Sequence, residues 1–259
     1  MFMNQEQYYF QASRINEATE SFMTFWQTLY RSEMLISYLE VSSELIRKNE
    51  NEARDKLTHI YYGLNHNPEY SRKNFESNLD VFLDLKFYET HLSSMVYTQT
   101  IDNLTTYFKD ILSEIVKVRP QILKSKDTEK LDFILDYKNM DDLIEAISNK
   151  KIEELFYKGI EDIEKYFKDR LNIEIFKSEN IKDNFNQLIK MRNLSVHNRG
   201  KVSKEFSIQF SEFKGKEGQY LQYDFTYVSG INLNMFNYLA ELDDEISEKF
   251  KLKRVKIGD

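Results

Sequence analysis

The chain has 259 residues with 36 Lys and Arg, 43 Asp and Glu and a net charge of -7, which argues against a protein that coats nucleic acid through its overall charge. It contains no cysteine, which excludes disulfides and thiolate zinc sites. Only 7 Gly and 2 Pro interrupt it, and such sparse turn residues predict an all-α protein of long helices joined by short loops.

The N-terminal part is predicted to be helical. The opening segment MFMNQEQYYFQ has no basic region followed by an apolar core, and no stretch approaches about 18 uninterrupted apolar residues, so we expect a cytoplasmic protein without a membrane span. Three- and four-residue apolar spacing over 17–49 predicts an amphipathic helix, with a shorter one at 52–62. The aperiodic segment 63–74 is the predicted boundary between an N-terminal helical extension (1–77) and a helical domain (78–253).

The middle of the chain is predicted to be helical throughout. A long apolar-periodic run covers 79–118 and stops before Pro120, which fits one bent helix or two in series. Further helices are predicted at 128–137, 140–148 and 152–170. The last of these has a clean apolar stripe, with Gly159 inside it as a mildly unfavourable residue.

The C-terminal part combines helices with a predicted hairpin. A helix is expected to start near Asn180 as its N-cap and to end at Gly200 in a left-handed conformation. The segments FSIQF and YLQYDFTYV alternate polar with apolar residues around the glycine-containing KGKEGQ, which predicts a small β-hairpin before the last helix. That last helix is predicted at 233–250, and the basic tail KLKRVKIGD after it is predicted to be frayed, with 254–259 outside the helical domain.

The segment RNLSVHNRG holds the residues with the clearest chemical potential. Arg192 continues the apolar line of the preceding helix, so its charge must reach water or be held by acceptors. Asn193 and His197 are four residues apart and therefore share one helix face. A permanent cation, an amide and an imidazole are the groups that phosphodiester cleavage without a metal requires.

The local charge differs from the overall charge. Between residues 189 and 204 the chain has five basic residues and no acidic one. Besides Arg192, the other four are candidate contacts for an RNA backbone: Lys190, Arg199, Lys201 and Lys204.

The segment R-N-L-S-V-H resembles the Arg-x4-6-His motif of the HEPN superfamily of helical nucleotide-binding domains. Asn193 occupies the polar place after the arginine, and His197 precedes an Asn and a Gly at the predicted helix end. The run TIDNLTTYFKDILSEI is similar to the first core helix of bacterial members, in which an acidic residue at the position of Asp102 often faces the motif. The similarity extends over about 78–253, although only the stretch around Arg192 is specific.

The resemblance implies a helical bundle that forms a two-fold dimer with a composite site in a cleft. It also implies a metal-independent endoribonuclease without a cofactor, of the kind that serves as a toxin or abortive-infection effector under an antitoxin or sensor. Arg192 would hold the scissile phosphate, His197 would transfer a proton or position the 2'-hydroxyl, and Asn193 would orient one of them. The products would be a 2',3'-cyclic phosphate and a 5'-hydroxyl.

Several alternatives remain open from the sequence. The chain could be a non-catalytic member of the same fold that binds RNA, nucleotide or protein, or an adaptor that engages a partner through 17–49. Arg192 could pair with an internal carboxylate, and His197 could simply favour a helix C-terminus. No metal site is expected, because His59, His66 and His91 lack the further ligands that one needs.

Overall fold

The computed structural model describes residues 15–64, 85–124 and 128–256. Within these ranges the chain forms nine α-helices and one two-stranded sheet. The elements are β1 Glu17–Ala18, α1 Glu20–Lys48, α2 Glu50–Leu64, α3 Leu85–Val118, α4 Leu131–Leu135, α5 Met140–Lys158, α6 Ile160–Tyr166, α7 Glu179–His197, α8 Lys204–Gln209, α9 Phe225–Phe250 and β2 Val255–Lys256. The prediction of an all-α protein with a small two-stranded β-element is confirmed.

The helix α3 is the central element of the bundle. It runs without a break for 34 residues, so the described part of the predicted run is one helix rather than two. Helices α1, α5, α7 and α9 all contact it. Its side chains Ile101, Leu104, Phe108, Ile111 and Ile115 are almost completely buried, because neighbours cover it on several sides.

The helix α1 belongs to the same core. Its N-cap Thr19 accepts a hydrogen bond from the backbone N–H of Phe22. Phe22, Phe25, Leu29 and Ile36 are at most 1% exposed and belong to one hydrophobic cluster with α3 and α9. The predicted domain boundary at residue 77 lies outside the described residues.

The break between α5 and α6 differs from the prediction. The sequence suggested two helices at 140–148 and 152–170, but α5 continues to Lys158 and ends at Gly159. Gly159 has φ +117 and ψ 178, a conformation that is open almost only to glycine. The polar residues 149–151 contain no helix breaker, so hydrophobic spacing alone placed the break wrongly.

The small β-element also lies elsewhere than predicted. The first four residues of the segment FSIQF belong to α8, whose N-cap Ser203 accepts from the N–H of Phe206, and Phe210 is its C-cap. Asp224 caps α9, which starts eight residues before the predicted 233 and takes the end of the second predicted strand. What remains of the hairpin is one β-bridge between Lys201 and Tyr220. The side-chain caps outweigh the polar-apolar alternation, which spans too few residues to decide the local structure.

The two strands of the sheet come from opposite ends of the described chain. Glu17 pairs with Lys256 and Ala18 with Val255 in an antiparallel register. Arg254 donates to the carbonyl of Glu17 at 2.6 Å and also bonds Asp244. The prediction that the tail from 254 is frayed is therefore wrong for Arg254 to Lys256; residues 257–259 lie outside the described residues.

No helix in the described parts of the chain is both long and apolar enough to cross a membrane.

Candidate functional site

The helix α7 carries the Arg-to-His segment in its last turns. Ser178, rather than the predicted Asn180, is its N-cap and accepts from the N–H of Ile181. At the other end the N–H groups of Asn198 and Gly200 each donate to the carbonyl of Leu194 at 2.9 Å. Gly200 has φ +74, the left-handed value predicted for it. The helix therefore ends at His197, whose side chain projects from the final turn.

Tyrosines fix α7 against the core. The Tyr97 hydroxyl on α3 donates to the carbonyl of Leu188 at 2.6 Å. The Ser195 hydroxyl lies 2.8 Å from the Tyr223 hydroxyl, and the rings of Tyr97 and Tyr223 stack with centroids 4.7 Å apart. Burial raises the pKa of Tyr223 to about 12, so its hydroxyl stays protonated near neutral pH. These contacts hold α7 in one position relative to α3.

A groove of about 730 Å³ lies between α3, the end of α5, the start of α6 and α7. We call it the motif groove, because the predicted site residues of α3 and α7 line it together: Asp102, Arg192, Asn193 and His197. Asn193 and His197 are four residues apart on α7 and so share one helix face, and Arg192 lines the same groove. The structure thus brings the guanidinium, the amide and the imidazole to one surface.

Arg192 is held by two neighbours at the groove. Its Nη2 lies 2.8 Å from Asp102 Oδ1, and its Nη1 donates to Asn193 Oδ1 at 3.3 Å. Its Nε is buried and has no hydrogen-bond partner among the described residues. The side chain of Arg192 is 25% exposed and that of Asp102 50%. An ion pair this exposed contributes only about 0–1 kcal/mol, so its main effect is to orient the guanidinium.

His197 is exposed at the edge of the same groove. In the described parts of the chain its side chain forms no hydrogen bond or ion pair with another residue. Its place in the last turn of α7 agrees with the mild preference of a cation for a helix C-terminus. The imidazole is therefore accessible to a ligand in the groove.

The groove has further polar residues that the sequence did not single out. Lys109 of α3 and Glu153 of α5 form an ion pair, and Tyr157 lies beside them with 95% of its area exposed. Lys109 follows Asp102 by two helical turns, so helical spacing places it on the same face. No comparable signal marks Glu153 or Tyr157, because their position depends on how α5 packs against α3.

The four predicted RNA-binding residues do not gather in the motif groove. Lys190 donates to Gln209 Oε1 at 2.5 Å and lies over the Phe210 ring, so it faces α8. Arg199 lines a second, neighbouring groove. Lys201 lies over the Tyr220 ring at 5.3 Å, and Lys204 begins α8. The basic patch is continuous in sequence but is distributed over several surfaces.

Metal ligands do not cluster in the part of the chain that the structure describes. No group of three or more His, Asp or Glu side chains there has a geometry suited to an ion. His59 is exposed on α2, His91 lines the second groove, and His66 lies outside the described residues.

Comparison of the chain with protein-family models, with curated proteins and with solved structures finds no match. Membership of the HEPN superfamily therefore stays a prediction from the segment around Arg192.

Proposed function

We propose that the protein is a metal-independent endoribonuclease that cleaves RNA by attack of the 2'-hydroxyl on the adjacent phosphate. The observation that supports it most is the meeting of Arg192, Asn193 and His197 at one groove, where the imidazole forms no hydrogen bond with any residue that the structure describes. A fixed cation and an accessible proton-transfer group on one surface suit a phosphodiester better than a neutral substrate.

Each residue has a role that follows from its contacts. The arginine side chain has five N–H groups, and among the described residues Asp102 and Asn193 engage two of those of Arg192. One N–H on each terminal nitrogen remains for phosphate oxygens, whose negative charge grows in the transition state. Asn193 holds one edge of the guanidinium, so we assign it a positioning role.

His197 is the proposed proton-transfer residue. In the reaction the 2'-oxygen forms a bond to phosphorus, and the bond from phosphorus to the 5'-oxygen breaks. A neutral imidazole accepts the proton of the 2'-hydroxyl, and a protonated imidazole donates one to the leaving 5'-oxygen. The products are a 2',3'-cyclic phosphate and a 5'-hydroxyl.

The resemblance of the segment to HEPN motifs supports a wider proposal. Two copies of the chain form a two-fold dimer in which each supplies one Arg192 and one His197 to a composite site. Such an enzyme acts in the cytoplasm as a toxin or abortive-infection effector, held inactive by an antitoxin or triggered by a sensor protein. A monomer by light scattering at the concentration of the cleavage assay contradicts the composite site.

The decisive experiment treats total RNA with the purified full chain in EDTA. We expect cleavage, with His197→Ala lowering the rate by about 10²–10⁴-fold and Arg192→Ala by about 10²–10³-fold. The fragments should end in a cyclic phosphate that blocks 3'-end tailing until it is removed. His59→Ala and Arg47→Ala serve as controls, because both residues are exposed on helices that do not line the groove.

The alternatives give different results. RNA binding without cleavage identifies a non-catalytic nucleic-acid-binding protein. Cleavage that survives both site substitutions excludes this site as the catalytic one. Neither binding nor cleavage, together with stable association with another protein, favours an adaptor. Relief of expression toxicity by His197→Ala is a simpler test of the same proposal.

A further inference from the structure

A second groove of about 970 Å³ adjoins the motif groove. It lies between the N-terminal half of α3, the last turn of α7 and the backbone segment 220–223. Asp102 lines both grooves, so the two meet at the carboxylate that pairs with Arg192. A chain molecule bound at Arg192 can therefore continue into the second groove.

The second groove offers apolar surface and hydrogen-bonding edges together. Met95, Val196 and Tyr220 line it and are 58%, 48% and 56% exposed, respectively. Gln99 and Gln222 line it as well, and both are exposed. An unpaired nucleobase has an apolar face and a polar edge, and proteins bind it by stacking on aromatic rings and bonding its edge.

The charge of the second groove suits a phosphate chain. Among the described residues that line it, Asp102 is the single carboxylate, and Arg192 already pairs with it. Arg199 contributes a guanidinium to the lining. Lys201 Nζ lies 5.3 Å from the Tyr220 ring centroid, so a second cation lies beside an aromatic residue of the lining.

The backbone that presents Tyr220 is firmly held. Lys201 and Tyr220 form a β-bridge, the N–H of Val202 donates to Gln219 O at 2.9 Å, and the N–H of Leu221 donates to Gly200 O at 2.8 Å. The segment that carries Tyr220 is thereby tied to the end of α7. The ring itself is exposed, so truncating it removes ligand contacts without removing core packing.

We propose that the second groove binds an unpaired nucleotide next to the scissile phosphate, with its base on Tyr220 and its phosphate on Arg199, and that the substrate is therefore single-stranded RNA. The position of the scissile phosphate rests on the proposed function. Binding in the second groove is measurable without it. Base-paired RNA does not fit, because its bases are already stacked within the duplex.

The test uses the full chain carrying His197→Ala, so that no cleavage obscures binding. The probes are a fluorescein-labelled single strand of about 12 nucleotides and a duplex of the same sequence, followed by anisotropy in EDTA. Tyr220→Ala should weaken single-strand binding by about 5- to 160-fold, since stacking on one base contributes about 1–3 kcal/mol. Tyr220→Phe, which keeps the ring, should restore most of the affinity.

Arg199→Ala should weaken binding several-fold and reduce its dependence on salt, because one phosphate contact is lost. The matched controls are Tyr38→Ala and Arg47→Ala, exposed residues of α1 that line neither groove. Both should bind the single strand like the parent.

The inference is overturned by no binding of the single strand, by equal or tighter binding of the duplex, or by unchanged affinity in both Tyr220→Ala and Arg199→Ala. A change of mass in light scattering by Tyr220→Ala without a change in RNA affinity also overturns it, since the groove is then a self-association surface. Cleavage by the unsubstituted chain is measured separately. If Tyr220→Ala changes neither RNA binding nor cleavage, the proposal for the second groove alone is rejected. If Tyr220→Ala weakens RNA binding but the unsubstituted chain cleaves no RNA, the proposal of a nuclease alone is rejected.

Discussion

The sequence left open whether the Arg192 side chain pairs with an internal carboxylate or contacts a phosphate, and the two are compatible in the structure. Its position on an apolar helix line required acceptors, and Asp102 and Asn193 supply them at 2.8 and 3.3 Å. The internal ion pair does not remove Arg192 from the groove, because both partners remain partly exposed. The pair therefore orients a cation that can still contact an anionic ligand.

The substitution Asp102→Asn tests this orienting role. Loss of the carboxylate removes its repulsion toward an incoming phosphate and frees Arg192. We expect RNA affinity in the His197→Ala background to rise by about two- to five-fold, and the free energy of unfolding to change by less than about 1 kcal/mol. In the otherwise unsubstituted chain, cleavage at saturating RNA should slow because the guanidinium is less well oriented.

Anisotropy titration and urea unfolding measure these effects. The control is Glu44→Gln on α1, which removes the carboxylate of an exposed ion pair with Lys48 far from the groove. An unchanged RNA affinity in Asp102→Asn would show that the carboxylate does not compete with phosphate.

At the scale of elements, the break between α5 and α6 depends on one glycine. Gly159 has φ +117, and apart from its chain neighbours no atom of the described residues lies within 4 Å of the position where a Cβ would be added. The cost of a side chain there is therefore backbone strain rather than a clash. Gly159→Ala should lower the free energy of unfolding by about 1–3 kcal/mol.

Urea unfolding of Gly159→Ala is compared with Lys158→Ala. Lys158 is exposed and ends the regular part of α5, so its truncation should change stability by less than about 0.5 kcal/mol. Equal stability of the two variants would mean that α5 and α6 can join without strain.

The packing of α1 against α9 depends on a buried carboxylate. Glu33 is 4% exposed and accepts hydrogen bonds from Asn232 Nδ2 at 2.7 Å and Ser229 Oγ at 2.9 Å. Burial raises the pKa of Glu33 above its ordinary 4.5, Glu40 adds to this increase, and the two hydrogen bonds oppose it. The folded protein thus holds this proton more tightly than the unfolded chain does.

The sign of the pH dependence follows from this shift. Below pH 4.5 both states are protonated at Glu33, so the shift has no effect on stability. As pH rises from there through the raised pKa, the unfolded chain ionises first and the fold loses stability. Glu33→Gln cannot ionise, and its amide can accept from Asn232 and donate to Ser229, so the variant should escape this loss.

Urea unfolding between about pH 4.5 and pH 8 measures the difference. The stability of Glu33→Gln relative to the parent should increase with pH and then level off. Glu44→Gln, an exposed carboxylate of the same helix, should show no such increase. A relative stability that is independent of pH would contradict the raised pKa.

At the scale of the whole molecule, the described residues share one hydrophobic cluster. The N-terminal Phe22 and Leu29 and the C-terminal Leu239 and Ile246 are all members of it. Thr19 also donates to the buried Asp243 of α9 through its backbone N–H at 3.0 Å. The first and last long helices therefore stabilise each other, and α1 is expected to unfold together with the rest.

The single tryptophan allows a direct test, because Trp26 lies on α1 while far-UV circular dichroism reports all helices. Urea transitions followed by tryptophan fluorescence and by circular dichroism should coincide. Leu29→Ala should lower the free energy of unfolding obtained with either probe by about 2–5 kcal/mol, and Leu239→Ala should do the same. An earlier fluorescence transition would show α1 to be an independent unit.

Deletion of residues 1–77 is expected to prevent folding, because it removes core side chains.

The sequence by itself determined the helical class, the position of α3 and α7, and the residues of the Arg-to-His segment. These follow from local properties, namely hydrophobic period, capping residues and the three-and-four spacing that puts Asn193 and His197 on one face. The same local signals place Gly200 at the helix end. The hairpin prediction is wrong because Ser203 and Asp224 are the N-caps of α8 and α9.

Tertiary structure alone decided which surfaces meet. Lys190 and Arg199 are close in sequence, yet Lys190 lies within α7 and faces α8, whereas Arg199 follows the end of α7 with φ +54 and lines the second groove. Likewise the pairing of Asp102 with Arg192 and the joining of β1 to β2 depend on how distant helices pack. Such contacts arise from burial summed over the whole core, which no short stretch of sequence contains.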